Sequence, residues 1–387
     1  MNEDYDVVVA GGSVSGLLAA REIASKGHSV LVLEEDSEIG TPEHCGGLVS
    51  IDAISRLGIL PRNNVVQNQI KVAKICSPTR SFEIRTANQK IVVLERREFD
   101  KHIALQSTKL GANIRTRCSL RNTKYTVESS DKSFHIITTT DGKFRSRYFV
   151  DARGISSLVQ NDRSGVLLAA QYEVYASWIE KDTVIVEFDN NKYPGFFAWI
   201  IPTGEGSGKV GVAGKSINTA RTLWSYLESK GGSFSVIRKI FAPIWVKGPI
   251  DKFIDGRTLV IGDAAGQTKP TTAGGIYTCG LGGILAGRAI SNAIESNNDD
   301  LLLEYPAKWT RIFGKEFRNM VLFRKLLERL DNKALDLMFS NINSKAMDTI
   351  SRTGDFDFHS VSIRRILSVT GLKLFKTMVG NEYRRLS

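Results

Sequence analysis

The chain has 387 residues, 42% hydrophobic and 24% charged, with a formal net charge of +11. This is the composition of a folded globular protein, long enough for two or three domains of roughly 100–200 residues. The lack of any run of about 18 apolar residues excludes a membrane-spanning helix. The opening MNEDYDVVVAGG has no basic region followed by a cleavable apolar stretch, so a cytoplasmic protein is expected. Cys45, Cys76, Cys118 and Cys279 are too scattered for a disulfide scaffold or a zinc site, and no metal is expected. The charge is uneven: from Leu301 to Ser387 there are 16 Lys and Arg against 9 Asp and Glu. No nucleic-acid-binding motif accompanies this surplus, which points instead to lipid headgroups or a phosphorylated substrate.

The chain opens as strand, glycine turn, helix, strand: DVVVA, GGSVSG, LLAAREIASKG and HSVLVLEE. VVVA is a continuous apolar run, as in a parallel strand buried on both faces. A long loop, SEIGTPEHCGGLVS, follows. KVAKI, FEIRT and KIVVLE alternate like antiparallel strands, and a helix is predicted from Phe99 to Leu110. Strand-like FHIITTT and FRSRYFVDARG come next, then the aromatic, β-rich stretches QYEVYA, TVIVEF, FFAWIIP and KVGVAG. RTLVIGDAAG returns to a buried strand with a small-residue turn and leads into a Gly/Ala helix ending near Ile294. Beyond Leu301 the periodicity is helical and basic. No internal repeat is visible.

Two segments carry the chemistry. In Gly11-Gly12-Ser13-Val14-Ser15-Gly16, the outer glycines allow a tight turn and close helix–strand packing, which aims a helix N-terminus at a pyrophosphate. Glu34 ends the next strand, where an acid accepts a hydrogen bond from a ribose hydroxyl. Far away, Asp263 ends a second buried strand and suits a ribityl hydroxyl. Gly275 and Ile276 then open a helix whose amides stabilise negative charge on a flavin ring. A simple NAD dehydrogenase needs no such late segment, so the pairing favours FAD.

These residues resemble the glutathione-reductase-like FAD proteins of the p-hydroxybenzoate hydroxylase branch, and within it the archaeal geranylgeranyl reductases. The match also rests on the Glu38–Ser50 loop with its Cys45-Gly46-Gly47-Leu48, on Arg96 with Phe99-Asp100, and on Pro194–Pro202. The last only partly matches a PxxYxWxFP signature: Phe197 replaces Tyr and Ile201 replaces Phe. Asp151-Ala152-Arg153-Gly154 is similar to an Ala-Asp-Gly element in which Arg153 replaces the acid, and this leaves the electron donor open.

The resemblance implies an α/β fold: a Rossmann FAD domain (1–58, 92–158 and 250–298) interleaved with an antiparallel β-sheet substrate domain (59–91 and 159–249), plus a basic helical region (299–387). It implies cofactor contacts from Gly11, Ser15, Gly16, Glu34, Cys45, Gly46, Leu48, Arg96, Leu120, Asp263, Gly275 and Ile276. Cys45 is the candidate catalytic residue, beside flavin and substrate, or else a buried cysteine acting as a small hydrophobe. Phe197, Trp199 and Pro202 would line an apolar tunnel for an isoprenoid lipid, or else form sheet core. Cys279 is either a packed helix thiol or a redox partner of Cys45. The helix from Trp309 to Leu330 either lies on an anionic membrane, peripherally on its inner face, or packs on the other domains, and Arg364–Lys376 adds to its charge. The donor would be NAD(P)H or ferredoxin. The alternatives are a flavin monooxygenase acting on a lipophilic ring and a non-catalytic prenyl carrier.

Overall fold

The computed structural model describes residues 3–371 apart from 61, 63, 86, 87, 130, 131 and 161. The end of the basic stretch Arg364–Lys376 and of the 299–387 region lies outside the described residues.

Val7, Val8 and Val9 are fully buried, as their unbroken apolar run requires. Their strand, Glu3–Ala10, sits at the centre of an eight-stranded sheet, between parallel strands Val30–Leu33 and Gly142–Asp151. Thr258–Val260 joins the far side of Gly142–Asp151, also in parallel. The strand that precedes Asp263 therefore ends on the same side of the sheet as the one that precedes Gly11.

The helices are α1 (Val14–Ala24), α2 (Ile51–Arg56), α3 (Arg96–Lys109), α4 (Ile155–Leu158), α5 (Thr219–Glu228), α6 (Ile276–Ser296), α7 (Glu304–Arg329), α8 (Asn332–Ser340) and α9 (Ser344–Thr353). α1 and α6 touch backbone to backbone. A Cβ on Gly283 would lie 2.1 Å from the Ser15 carbonyl oxygen, and one on Gly287 2.6 Å from that of Ala19. The glycine content of α6 is the means by which a helix some 260 residues later closes on the first one.

A seven-stranded sheet is built from Ser235–Trp245, Val166–Tyr175, Ser207–Gly214, Ala198–Gly204, Thr183–Glu187, Val72–Cys76 and Ser81–Arg85, in that order. Ala170, Tyr172, Val174, Ala198, Ile200, Val210 and Val212 on one face pack under Leu223, Tyr226 and Leu227 of α5. By the two-residue alternation, the other face carries Gln171, Glu173, Trp199, Ile201, Lys209 and Gly211.

Several local expectations change. Helix α3 starts at Arg96, before the expected Phe99. The long loop ends as strand Leu48–Ser50, paired with Ile91–Leu94. Ser235–Trp245 and α5 escape the sequence reading. The former alternates between exposed and half-buried residues and contains Pro243, tolerated because this is an edge strand. The basic helix packs inward: Trp309, Phe313 and Phe317 of α7 are buried in the main core. Among the described residues, no helix is long and apolar enough to cross a membrane.

Candidate active site

The glycine turn leaves no room for side chains. Gly11 has φ +114°, and a Cβ there would lie 2.3 Å from the Ala152 carbonyl oxygen. A Cβ on Gly16 would lie 2.0 Å from the Gly11 carbonyl oxygen. Ser15 is buried behind the turn. The Gly12 N–H donates to Glu34 Oε2 at 2.8 Å, and the Asp36 N–H to its Oε1 at 2.9 Å. Burial nevertheless outweighs these bonds and raises the Glu34 pKa. Leu120 is half-buried two residues beyond Cys118, whose N–H donates to the Glu34 carbonyl at 2.8 Å. This backbone shape, a bare turn at a helix N-terminus with an acid alongside, fits a dinucleotide phosphate and ribose.

The second segment meets the first through the α1–α6 contact. Burial raises the Asp263 pKa, and the Cys279 thiol donates to Asp263 Oδ1 at 3.3 Å. Gly275 caps α6, which begins at Ile276. A Cβ on Gly275 would lie 2.8 Å from Cys279 Sγ. Cys279 is a packed thiol, and it is free, as is Cys45.

The Cys45 loop is held from both sides. The Gly47 N–H donates to Cys45 Sγ at 3.3 Å. Arg96 forks onto Asp100, with Nη2 3.0 Å from both carboxylate oxygens. Burial disfavours the guanidinium charge, but Asp100 and then the Cys45 sulfur outweigh it and raise the Arg96 pKa. Ser13 Oγ donates to Asp100 Oδ2 at 3.5 Å, which ties this pair to the glycine turn. Gly46 lies against the sheet: a Cβ there would meet Ile201 Cδ1 at 2.6 Å. Leu48 and Trp199 both pack against the cluster that contains Ile201.

Phe196 and Phe197 precede the strand at Ala198, so they do not alternate along it; their rings stack 4.0 Å apart, 16° from parallel. Trp199 stands 6.0 Å from Phe197 and donates from Nε1 to Gln171 Oε1 at 3.1 Å. Pro202 lies farther along, its carbonyl accepting from Asn68 Nδ2 at 2.9 Å. Arg153, which stands in place of an acid, is paired with Asp151 (Nη2 to Oδ2, 2.8 Å).

Two buried ionic groups escaped the sequence reading. Glu43, two residues before Cys45, pairs with Lys209 and with Arg238 (3.0 Å) and accepts from the Arg96 N–H at 3.4 Å. Burial opposes the Glu43 charge, but Lys209 prevails and holds its pKa below the ordinary range. Lys209 Nζ also donates to the Cys45 carbonyl at 3.4 Å. Lys269, in the turn before α6, donates to the Phe356 carbonyl at 2.8 Å and faces Asp357 at 3.5 Å. A single lysine heading the apolar run KVGVAG, and another inside QTKPTT, were the available signals. Among the described residues, no cluster of metal ligands occurs.

No family model matches the chain. A digeranylgeranylglycerophospholipid reductase 2 from Methanothermobacter thermautotrophicus is 31% identical, covering 94% of this chain and 96% of that protein. The chain belongs to the digeranylgeranylglycerophospholipid reductase family. The fold agrees: a geranylgeranyl bacteriochlorophyll reductase-like protein from Thermoplasma acidophilum superposes with a TM-score of 0.85 at 23% identity, over 98% of this chain and 100% of that one. A flavoprotein/dehydrogenase from Cytophaga hutchinsonii gives 0.69 at 15% identity, over 98% and 100%. The chain thus shares the α/β fold of these two proteins, and this reductase-family member carries the glycine turn and the Asp263–Ile276 segment on one side of its sheet.

Proposed function

We propose that this protein is an FAD-dependent reductase that saturates carbon–carbon double bonds in the geranylgeranyl chains of membrane ether lipids or polyprenyl phosphates. The observation that carries the reading is the position of the Cys45–Leu48 segment. It runs between Arg96–Asp100 on the nucleotide-binding side and Gln171, Trp199 and Ile201 on the sheet side. Family membership supports the same chemistry.

In this reading Gly11–Gly16 and the α1 N-terminus hold the pyrophosphate, Glu34 the ribose, Asp263 the ribityl chain, and the amides of Gly275 and Ile276 the ring. Arg96, Gly46, Leu48 and Leu120 complete the contacts. When bound, reduced FAD supplies the hydride. Phe197, Trp199 and Pro202 shape the wall along which the prenyl chain lies, excluding water from an alkene that is barely electrophilic. Positioning therefore supplies much of the rate enhancement. Cys45 sits at the junction of the two sides and shapes the reacting pocket. The division into domains 1–58/92–158/250–298, 59–91/159–249 and 299–387 belongs to this reading. So do an NAD(P)H or ferredoxin donor and work at the inner membrane surface, which the basic surplus supports.

The test is anaerobic incubation of dithionite-reduced protein with digeranylgeranylglyceryl phosphate, followed by mass spectrometry of the lipid. A gain of hydrogen pairs is expected. An unchanged lipid mass overturns the proposal.

A further inference from the structure

Between the aromatic turn and α7 lies a narrow cleft, open to solvent, whose lining includes Phe188, Asn190, Phe196, Phe197, Arg324 and Leu327. Most of the lining is apolar; its polar members are Asn190, Thr271 and Arg324, and of these the arginine alone is charged. Arg324 is 7% exposed, with its guanidinium carbon 5.5 Å from the Phe196 ring centroid. Its carboxylate partner, Glu328 at 2.6 Å, is shared with Lys215 at 2.8 Å. One carboxylate thus answers two cations, and the cleft mouth keeps a positive charge. Burial disfavours the Arg324 charge more than Glu328 restores it, so its pKa is lowered.

Packed side chains lead inward from the arginine. Phe197 stacks on Phe196 at 4.0 Å, Trp199 follows at 6.0 Å, Trp199 bonds Gln171, and Gln171 stands beside Gly46. A row of packed aromatic side chains, closed by the polar Gln171, therefore connects Arg324 to the Cys45 loop. A molecule that fits both ends is an amphiphile, anionic at one end and hydrocarbon along its length. An uncharged prenyl chain has no use for a buried cation, and a free anion has no use for three phenylalanines.

We propose that Arg324 binds the anionic phosphate head of the prenyl lipid substrate, with the chain running along Phe196, Phe197 and Trp199 toward Cys45. The inference rests on the prenyl-lipid reading above and adds the subsite that selects the head. A guanidinium is suited to the role because its planar fork matches phosphate oxygens bidentately.

The experiment compares the FAD-loaded wild type with Arg324→Gln, Arg324→Lys and Glu328→Gln. Dissociation constants are measured by calorimetry for digeranylgeranylglyceryl phosphate in micelles, for its dephosphorylated alcohol, and for inorganic phosphate alone. Arg324→Gln is expected to raise the Kd of the phosphate-headed lipid relative to the alcohol by about tenfold or more, the scale of one charge-assisted contact. Arg324→Lys recovers part of the preference. Glu328→Gln, which removes the competing carboxylate, tightens the phosphate-headed lipid, a gain that loss of packing would not produce. It also keeps the test alive should Arg324→Gln fail to fold. An unchanged lipid-to-alcohol ratio in Arg324→Gln overturns the proposal. So does inorganic phosphate binding as tightly as the lipid, which would make this a free-anion site. A wild type that shows the head preference yet leaves the lipid unsaturated supports the Arg324 subsite and sinks the reductase reading alone.

Discussion

Ser50 Oγ donates to Asp357 Oδ2 at 2.7 Å, across 307 residues of sequence. Asp357 also faces Lys269, and both charged residues are nearly fully buried, at 3% and 4% exposure. The C-terminal region is therefore keyed into the strand that follows Cys45 and into the turn before α6. Removing one partner of a buried pair strands the other charge. Asp357→Ala is expected to lower stability by about 3–5 kcal/mol. The double variant Asp357→Ala/Lys269→Met should recover much of that loss, and urea unfolding midpoints of the three proteins decide it.

The next residue pair on that segment sets a pH dependence. His359 Nδ1 lies 2.7 Å from Thr271 Oγ1. Burial, then the charge of Lys269, lowers its pKa from 6.5 to about 3. A base held neutral in the fold takes up a proton on unfolding, so stability falls as pH drops from about 6.5 toward 3. His359→Gln should flatten the thermal-melting profile in that window. An unchanged slope would remove His359 as its source.

Gly283→Ala tests the contact between α1 and α6. In an exposed helix the change would stabilise by about 1 kcal/mol. Here the added carbon meets the Ser15 carbonyl oxygen at 2.1 Å, a backbone atom that cannot rotate away. Overpacking of this kind costs about 1–3 kcal/mol, so a net loss of stability is expected, with weaker flavin retention on gel filtration.

For the Cys45 loop, Glu43→Gln should destabilise the protein by about 3–5 kcal/mol by leaving Lys209 unpaired. It should also speed alkylation of Cys45 in a Cys76→Ser background, because buried Cys118 and Cys279 stay protected. Equal alkylation rates would show that the loop does not depend on the Glu43–Lys209 pair.

Asp263→Ala removes the carboxylate read as the ribityl partner. Hydrogen bonds to a charged group contribute about 1.5–3 kcal/mol, so the Kd of FAD should rise about tenfold to a hundredfold. Fluorescence titration of the apoprotein measures it, and an unchanged Kd would move the ribityl site elsewhere.

The sequence made the glycine turn and the strands around it legible because their constraints are local. Gly11, Gly16 and Gly275 have to be glycine for reasons a short window reveals, and VVVA is buried because nothing in it is polar. What it hid is non-local. Lys209 and Glu43 stand 166 residues apart and Ser50 and Asp357 307 apart, and neither pair has a period or spacing to betray it. Amphipathic α7 illustrates the same limit. Its basic face and apolar face suit a bilayer surface or a protein core equally well, and only the burial of Trp309, Phe313 and Phe317 chooses between them.

The glycine seam between α1 and α6 also bears on how the molecule is made. The first helix leaves the ribosome some 260 residues ahead of the one that covers its Ser15–Ala19 side. A nascent chain halted before Ile276 holds half of a nucleotide cradle and an uncovered greasy flank. On the reading proposed above, the cofactor site is complete only once α6 has been made, and a chain truncated before it leaves bare the side of α1 that α6 covers.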